Sequence, residues 1–423
     1  MTLHYEGWSL HKQILPSLVP LASPSSSPSS KRKENSWIGT SDSELGWSIL
    51  DQKPSLPQFS EQSGSTAVVD DSSTPFDFFS LFFQEFMIKH IKTETNRYDK
   101  SRADKRRRTN TLKPHSIWQK CTGVRLHEMY LFFAVIIHMC LVKKPKLKDY
   151  WSTRNFISTQ FSGSVMSINW FTVILSNLHV NDDATYIPRN EANHNPMHKI
   201  RYILDHLLTH FTISFSPYEN LTIDEGVCGF QGRVIFHVYT KNKLDKYGIK
   251  MFTVCDSKTG YAVRTSVYTG KGQRDNPIIG LFQRLLSGYL VKGHTVFMDR
   301  FDSSPAVFDF WWARKTKAVG TCMLNRKELP RQNVVSNKTR CDECVFMRRD
   351  HLPCFKWKDN RNVLCLSTAH KMTTTNVEVR CKNGVKTKSN SFAILDYNLN
   401  KNGVDRADQI ISYYVIKIKQ LKW

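Results

Sequence analysis

The 423-residue chain has no long hydrophobic run. Its longest apolar stretch, Met129 to Val142, is interrupted by His138 and is too short to span a bilayer, so it reads as a buried helix and no membrane association is expected. The N-terminus has no basic flank followed by an apolar core, so no signal peptide is expected. A disulfide framework is also missing: the ten cysteines are scattered, and Cys140, Cys255 and Cys322 lie in apolar runs, which suits a reducing compartment. Acidic residues are in short supply. Lys and Arg number 60 against 37 Asp and Glu, for a net charge of +23. So basic a balance points to a polyanionic partner, nucleic acid first, although charge alone does not separate DNA from RNA or an anionic membrane.

The charge is unevenly spread. Residues 1–73 hold a Ser/Pro run, Ser23 to Ser30, and few regular patterns; their five basic and eight acidic residues leave them at −3 and the remainder at +26. This stretch reads as a disordered tail. Trp8, Trp37 and Trp47 are unusual for a plain linker and suit a short docking motif or a tail with no role. Thr74 then caps a helix with Pro75 at its first position, and Phe78 to Ile91 give it an apolar face. Lys105-Arg106-Arg107-Arg108 follows in a polar segment, Arg97 to Lys113. It suits a nuclear localisation signal, a rest for phosphate backbone, or a solvated loop. Residues 114–218 read as mostly helical, with candidates at Leu126–Leu141, Met166–Leu178 and His198–Thr212.

Carboxylates then appear at element ends. Asn220 to Gly226 alternates apolar and polar residues and presents Asp224 and Glu225 beside a glycine. His294 to Met298 is a second apolar strand, ending in Asp299. Asp405 and Asp408, three apart, share one face if their segment is helical. A single acid at a strand end is commonly a turn residue. Three such positions, from two strands and a helix, are what a two-metal phosphoryl-transfer site needs, because hard divalent cations take oxygen ligands. A strand Ile249–Cys255 leads into Asp256-Ser257-Lys258-Thr259-Gly260, a turn that returns Tyr261–Tyr268 antiparallel.

Ile223-Asp224-Glu225, the Gly229-Phe230-Gln231-Gly232-Arg233 run, Asn242-Lys243 ahead of Lys246-Tyr247-Gly248-Ile249-Lys250, and Gly403-Val404-Asp405 with Asp408-Gln409 together resemble the piggyBac transposase family, and in particular its transposable element-derived members, from about Thr74 onward. The resemblance implies an α+β protein. Its parts would be a helical dimerisation and DNA-binding domain over 74–218, a ribonuclease H-like catalytic core over 219–325, a β-rich insertion over 326–390 that interrupts the sheet, and the end of the core over 391–423. Asp224, Asp299 and Asp405 would be the catalytic acids and Asp408 a further metal ligand, holding magnesium, with manganese as a substitute. The activity implied is metal-dependent cleavage and strand transfer at TTAA sites, with no nucleophilic side chain and no small-molecule cofactor. Arg233, Lys246, Lys250, the Lys105–Arg108 cluster, Lys419 and Lys422 would contact double-stranded DNA, as a homodimer in the nucleus.

After Asp299 the family carries Asn and aromatics, whereas here Arg300-Phe301-Asp302 follows, and Arg300 is expected to pair with Asp299. The family continues beyond Lys422-Trp423, so a C-terminally truncated member is expected. A domesticated, non-catalytic DNA- or chromatin-binding protein and a decayed transposase fragment share the same motifs. Residues 326–390 also hold Cys341-x-x-Cys344, His351, Cys354, Cys365 and His370; with one clean pair and loose spacings, zinc is not expected. Phe392–Tyr397 reads as a strand ahead of the Asp405 helix.

Overall fold

The computed structural model describes residues 46–52, 55–111, 123–241, 245–270, 277–336, 338–340, 343–358, 361–371, 373–381 and 384–415. A two-residue strand β1 (Gly64–Ser65) precedes the first helix. Thr74 caps α1 (Pro75–Phe82) through a reciprocal pair: its hydroxyl accepts from the Asp77 amide at 3.4 Å, and the Asp77 carboxylate accepts from the Thr74 amide at 2.7 Å. The single helix expected over this stretch is two. Gln84 is extended, and the chain restarts as α2 (Glu85–Arg108). The break leaves Phe79 and Phe83 stacked at 5.0 Å, and Phe83 meets Phe133 of α3 (Leu126–Leu141) at 5.5 Å. The Lys105–Arg108 run is not in a loop; it forms the last turn of α2, where the helix dipole favours cations.

Three further helices, α4 (Gln160–Val165), α5 (Ile168–Asn177) and α6 (Arg201–Ser214), complete this region. Met87, Ile88 and Ile91 of α2 pack with Met129, Phe132 and Val135 of α3 and with Phe171 and Ile174 of α5 in one buried cluster. The spacing of these residues is the helical stripe read from the sequence.

The strands are β2 (Phe215–Ser216), which pairs with β1, then β3 (Asn220–Gly229), β4 (His237–Tyr239), β5 (Tyr247–Asp256) and β6 (Ala262–Val267). After them come α7 (Pro277–Leu286), β7 (Thr295–Met298), α8 (Pro305–Ala313) and β8 (Lys317–Thr321). The chain continues with β9 (Cys344–Arg349), β10 (Leu352–Lys358), β11 (Asn362–Ser367), the hairpin β12 (Thr374–Cys381) and β13 (Gly384–Ser391), α9 (Phe392–Asn400) and α10 (Gly403–Tyr413). One mixed sheet runs β4-β5-β3-β7-β8-β11-β10-β9, with β6 also on β5. β5 is antiparallel to β3, whereas β7 and β8 run parallel to it. Residues 326–390 were expected to interrupt the sheet; instead β11 pairs with β8 and extends it.

Side chains alternate across this sheet as the pleat requires. Leu221, Ile223, Val296 and Met298 face a large cluster that includes Phe282 of α7 and Phe308 and Trp311 of α8. Phe297 and Val319 face the other way, toward Ala393, Ile394 and Tyr397 of α9. The segment Phe392–Tyr397 is therefore helix, not the strand its short apolar run suggested. Its buried residues Ala393, Ile394, Tyr397 and Asn400 follow a helical stripe and not an alternation.

Residues 46–52, inside the stretch expected to lack order, lie against the sheet. Trp47 is buried in the large cluster, and its indole N–H donates to the Glu328 carbonyl at 3.1 Å. Ser48 and Arg348 exchange two backbone hydrogen bonds of 2.8 Å, and Asp51 pairs with Arg348 at 2.9 Å. Among the described residues no helix is long and apolar enough to cross a membrane.

Candidate active site

The parallel register of β3 and β7 runs from Asn220 opposite Thr295 to Ile223 opposite Met298. The next residue on each strand is an acid, so Asp224 and Asp299 leave adjacent strands at the same level. By the alternation just described, both belong to the face on which α9 packs. Each carboxylate is oriented by a nearby amide: Asp224 accepts from Glu225 N at 2.7 Å, and Asp299 accepts from Phe301 N at 2.8 Å. Arg300, expected on Asp299, lies over the ring of Phe301, 5.1 Å from its centroid.

The chain then folds back on itself. Asp302 N, Ser303 N and the Ser303 hydroxyl all donate to the Asp299 carbonyl, at 3.2, 3.1 and 2.8 Å. This turn buries Asp302, which is 8% exposed. Burial, and then repulsion from Asp224, Asp299 and Glu225, pushes the Asp302 carboxyl up to about 7 despite the opposing ammonium of Lys250. The Tyr397 phenol of α9 is also buried, is pushed well up by burial and then by Asp299 and Asp224, and accepts from Thr321 Oγ1 at 3.2 Å. Neither Asp302 nor Tyr397 was singled out from the sequence. Asp302 stands in a polar run, Asp299-Arg300-Phe301-Asp302-Ser303-Ser304, that gives no sign of burial, and Tyr397 had been placed on a strand.

The α10 helix delivers the remaining acids. Its first residue, Gly403, sits so close to β3 that a Cβ there would be 2.8 Å from Thr222 Oγ1. That hydroxyl is held by the Asn400 carbonyl at 2.6 Å and Ser257 Oγ at 2.7 Å. Arg406 donates to the carbonyls of Ser257 and Lys258, and Val404 and Ala407 pack on Cys255 of β5. Helical periodicity then brings Asp408 against β3, where a Cβ on Gly226 would be 3.4 Å from its Oδ1. Asp405 is exposed to solvent. The structure thus brings Asp224, Asp299, Asp302 and Glu225 into one neighbourhood, sets Asp408 against Gly226, two residues along β3 from Asp224, and leaves Asp405, three residues earlier on α10, exposed.

A family model described as transposase IS4 matches residues 74–423. Human piggyBac transposable element-derived protein 3 is 24% identical over 319 residues, covering 71% of this chain and 52% of its own length. Human piggyBac transposable element-derived protein 2 is 22% identical over 391 residues, covering 87% of this chain and 62% of its own length. The chain belongs to the piggyBac-type transposase family. It spans about half to three-fifths of the length of these curated relatives. The piggyBac transposase synaptic complex with hairpin DNA, solved by cryo-electron microscopy, aligns with a TM-score of 0.71 at 24% identity, over 86% of this chain and 73% of that one. At that identity the likeness is one of fold.

On this piggyBac-type fold the basic residues fall into separate groups. Arg233 is exposed and lines a cavity of about 430 Å³ with Lys199, His194, His198, Tyr186 and Phe236. Lys246 is exposed just ahead of β5. Lys105, Arg107 and Arg108 are exposed and Arg106 is half-buried at the end of α2, with Arg107 paired to Asp104 at 3.2 Å. Lys250, expected on phosphate, turns inward: its ammonium pairs with Glu225 and lies 4.8 Å from the Phe252 ring centroid. Lys419 and Lys422 lie outside the described residues, as does Cys341. Cys354 faces the α7–α8 side of the sheet, while Cys344 and Cys365 face the α9 side. His351 pairs with Asp309 at 2.9 Å and His370 with Asp396 at 3.2 Å. Among the described residues no three His, Cys, Asp or Glu side chains are spaced to hold a metal ion.

Proposed function

We propose that this chain binds double-stranded DNA and that the pocket at the ends of β3 and β7 is its phosphoryl-transfer site, of the type that cleaves and joins DNA at TTAA. The observation that carries the reading is the arrival of Asp224 and Asp299 at one level on one face of adjacent parallel strands, with α10 packed on that face. In this reading β6-β5-β3-β7-β8 is the ribonuclease H-like core, residues 74–218 are the helical domain, and β9 to β13 form the insertion. The protein would act in the nucleus as a homodimer.

The donor set fits a hard divalent cation, magnesium or manganese in its place. It is made of carboxylate oxygens, and it is short of positive charge, as the buried and mutually repelling Asp302 shows. The pocket has this chemistry without a closed cage, since no three ligands converge among the described residues. Asp224 and Asp299 would hold the cation, and Asp408 and Asp405 of α10 would be the further acids available to it. Bound there, it would supply charge to the attacking and leaving oxygens of an in-line displacement. The chain's own contribution is positioning. Backbone amides fix the two strand-end carboxylates, Lys250 holds Glu225, and Gly403 and Arg406 fix α10.

The test follows cleavage and hairpin formation on a pre-nicked DNA end with magnesium and with manganese, comparing wild type with Asp224→Asn and Asp299→Asn. Activity lost in both variants is expected, and activity that survives both refutes the assignment. A second reading, DNA binding without cleavage, is favoured by the net charge of +23 and the basic end of α2. It predicts salt-dependent DNA binding by wild type and both variants alike, with no cleavage in any.

A further inference from the structure

We propose that Tyr239 and Tyr247 of the β4–β5 hairpin form a stacking platform for the bases of an unpaired DNA strand. The inference rests on the reading of the chain as DNA-binding and adds the form of DNA that this edge of the sheet takes. It comes from a comparison of the ring contacts. The two tyrosines stand directly opposite each other in the antiparallel register, with ring centroids 4.8 Å apart. They are 57% and 56% exposed, and among the described residues no other ring–ring contact leaves both partners more than half exposed. Elsewhere a surface ring leans on a half-buried one, as Phe86 does on His206 and Tyr186 on His198.

A cross-strand aromatic pair steadies a hairpin whether or not it is covered, so the setting is what carries the argument. The His237 ring lies nearly parallel to that of Tyr247, at 16° and 5.9 Å, and its Nε2 donates to the Phe230 carbonyl at 2.7 Å, which fixes one end of the aromatic row. β4 is the last strand of the sheet, so among the described residues no strand covers its outer edge. From Arg233 to Lys250 the chain holds one acid, Asp245, against Arg233, Lys241, Lys243, Lys246 and Lys250. Arg233, Lys241 and Lys246 are exposed. Exposed rings amid cations suit a strand whose phosphates meet the cations and whose bases lie on the rings; stacking tolerates any base, but a duplex keeps its base faces covered. The platform is also continuous with the proposed site. Thr253 stands opposite Asp224, and Thr253, Met251, Ile249 and Tyr247 alternate onto one face of β5. The six residues from Thr253 to Tyr247 span about 20 Å, the length of about six stacked nucleotides.

The experiment is fluorescence anisotropy in EDTA at one fixed salt concentration, with three labelled probes of equal length: a mixed-sequence single strand, a single strand of abasic sites, and a duplex. Wild type is compared with Tyr239→Ala/Tyr247→Ala and with Tyr239→Phe/Tyr247→Phe, and each fold is checked by circular dichroism. Wild type should bind the base-bearing strand at least tenfold more tightly than the abasic strand, which carries the same phosphates. The alanine pair should narrow that preference to within about threefold, and the phenylalanine pair, which keeps the rings, should retain it. Equal binding of the two single strands by wild type, with the duplex still bound, overturns the platform and leaves DNA binding standing. A preference that survives in the alanine pair overturns it as well. If wild type binds none of the three probes, the DNA-binding reading fails and this inference with it. Should the alanine pair not fold, Tyr239→Ala alone on the outer strand decides, a full tenfold preference in that variant refuting the platform.

Discussion

Trp47 offers a direct test of whether the segment before β1 is part of the folded unit. The ring is 1% exposed, so truncation to alanine removes a fully buried indole. Losses of about 3–5 kcal/mol are typical for such a change in a core that cannot close over the space. The hydrogen bond to the Glu328 carbonyl adds about 1 kcal/mol. The Arg349 guanidinium, 5.5 Å above the ring, adds about 0.5–1 kcal/mol. The segment has little else to hold it beyond the Ser48 bridge and the Asp51–Arg348 pair, so detachment caps the total. A loss of about 3 kcal/mol is therefore expected for Trp47→Ala and about 1–2 kcal/mol for Trp47→Phe, which keeps a ring but not the N–H. Denaturant midpoints at constant slope measure both. Hydrogen exchange adds the location: the Ser48 and Arg348 amides, which bond each other's carbonyls, should lose protection in the alanine variant. A loss under about 1 kcal/mol with both amides still protected would refute the docking argument.

Three other outcomes follow from the packing and the charges. Gly403→Ala places a methyl within 2.8 Å of a hydroxyl that is itself held by two partners, so α10 must shift; a stability loss of about 1–3 kcal/mol and weaker manganese binding are expected, read by denaturation and metal titration. Replacing Arg106, Arg107 and Arg108 together by glutamine should weaken DNA binding and flatten the plot of log K against log salt by about one for each phosphate those side chains neutralise; an unchanged slope removes the end of α2 from the DNA interface. His294 is buried, and burial lowers its pKa below 6.5 against the raising effect of its bonds to the Glu219 and Tyr218 carbonyls, with Lys292 and Glu61 nearby. The folded state then binds fewer protons than the unfolded one, so stability is fully present above pH 6.5 and falls as the pH drops through that value. His294→Asn should flatten that fall, measured as denaturant midpoints from about pH 7.5 to 5.

Local rules carried much of the fold. Thr74 and Pro75 mark a helix start because both act within one turn, and α3 spans the Leu126–Leu141 candidate because its apolar stripe is long enough to be unambiguous. The turn from Asp256 to Gly260 was legible from its end residues, and Gly260 does take a positive φ of 77°. What was missed depends on contacts far apart in sequence. Phe392–Tyr397 is a short apolar run, ambiguous alone, and becomes helix because Ala393, Ile394 and Tyr397 must meet Phe297 and Val319. Gly226 was read only as the glycine beside two acids; it lies inside β3, where the absence of a side chain lets the Asp408 carboxylate approach. Asp405 and Asp408 do lie three apart on one helix, but that Asp408 is the one set against Gly226 of β3 while Asp405 is exposed depends on how α10 docks, which the spacing alone does not give. Lys250 looked like a phosphate contact because its charge is visible in sequence, whereas its partner Glu225 is a neighbour only across the β3–β5 register.

The basic surface and the acidic pocket pose a single electrostatic problem. A net charge of +23 draws a polyanion in, but a phosphate that reached Asp224 and Asp299 would meet like charge in a partly buried setting where screening is weak. On the proposed function, affinity and chemistry must therefore come from different residues. Arg233, Lys246 and the exposed side chains at the end of α2 are open to solvent and would be the ones to meet the backbone of DNA, while Lys250 is committed to Glu225. If that division holds, neutralising a pocket acid, as in Asp224→Asn, should tighten DNA binding in EDTA, because it removes repulsion and no attraction. Replacing Arg233 should weaken binding under the same conditions. Opposite signs from two substitutions, without any metal or turnover, would separate the surface that holds DNA from the pocket that acts on it.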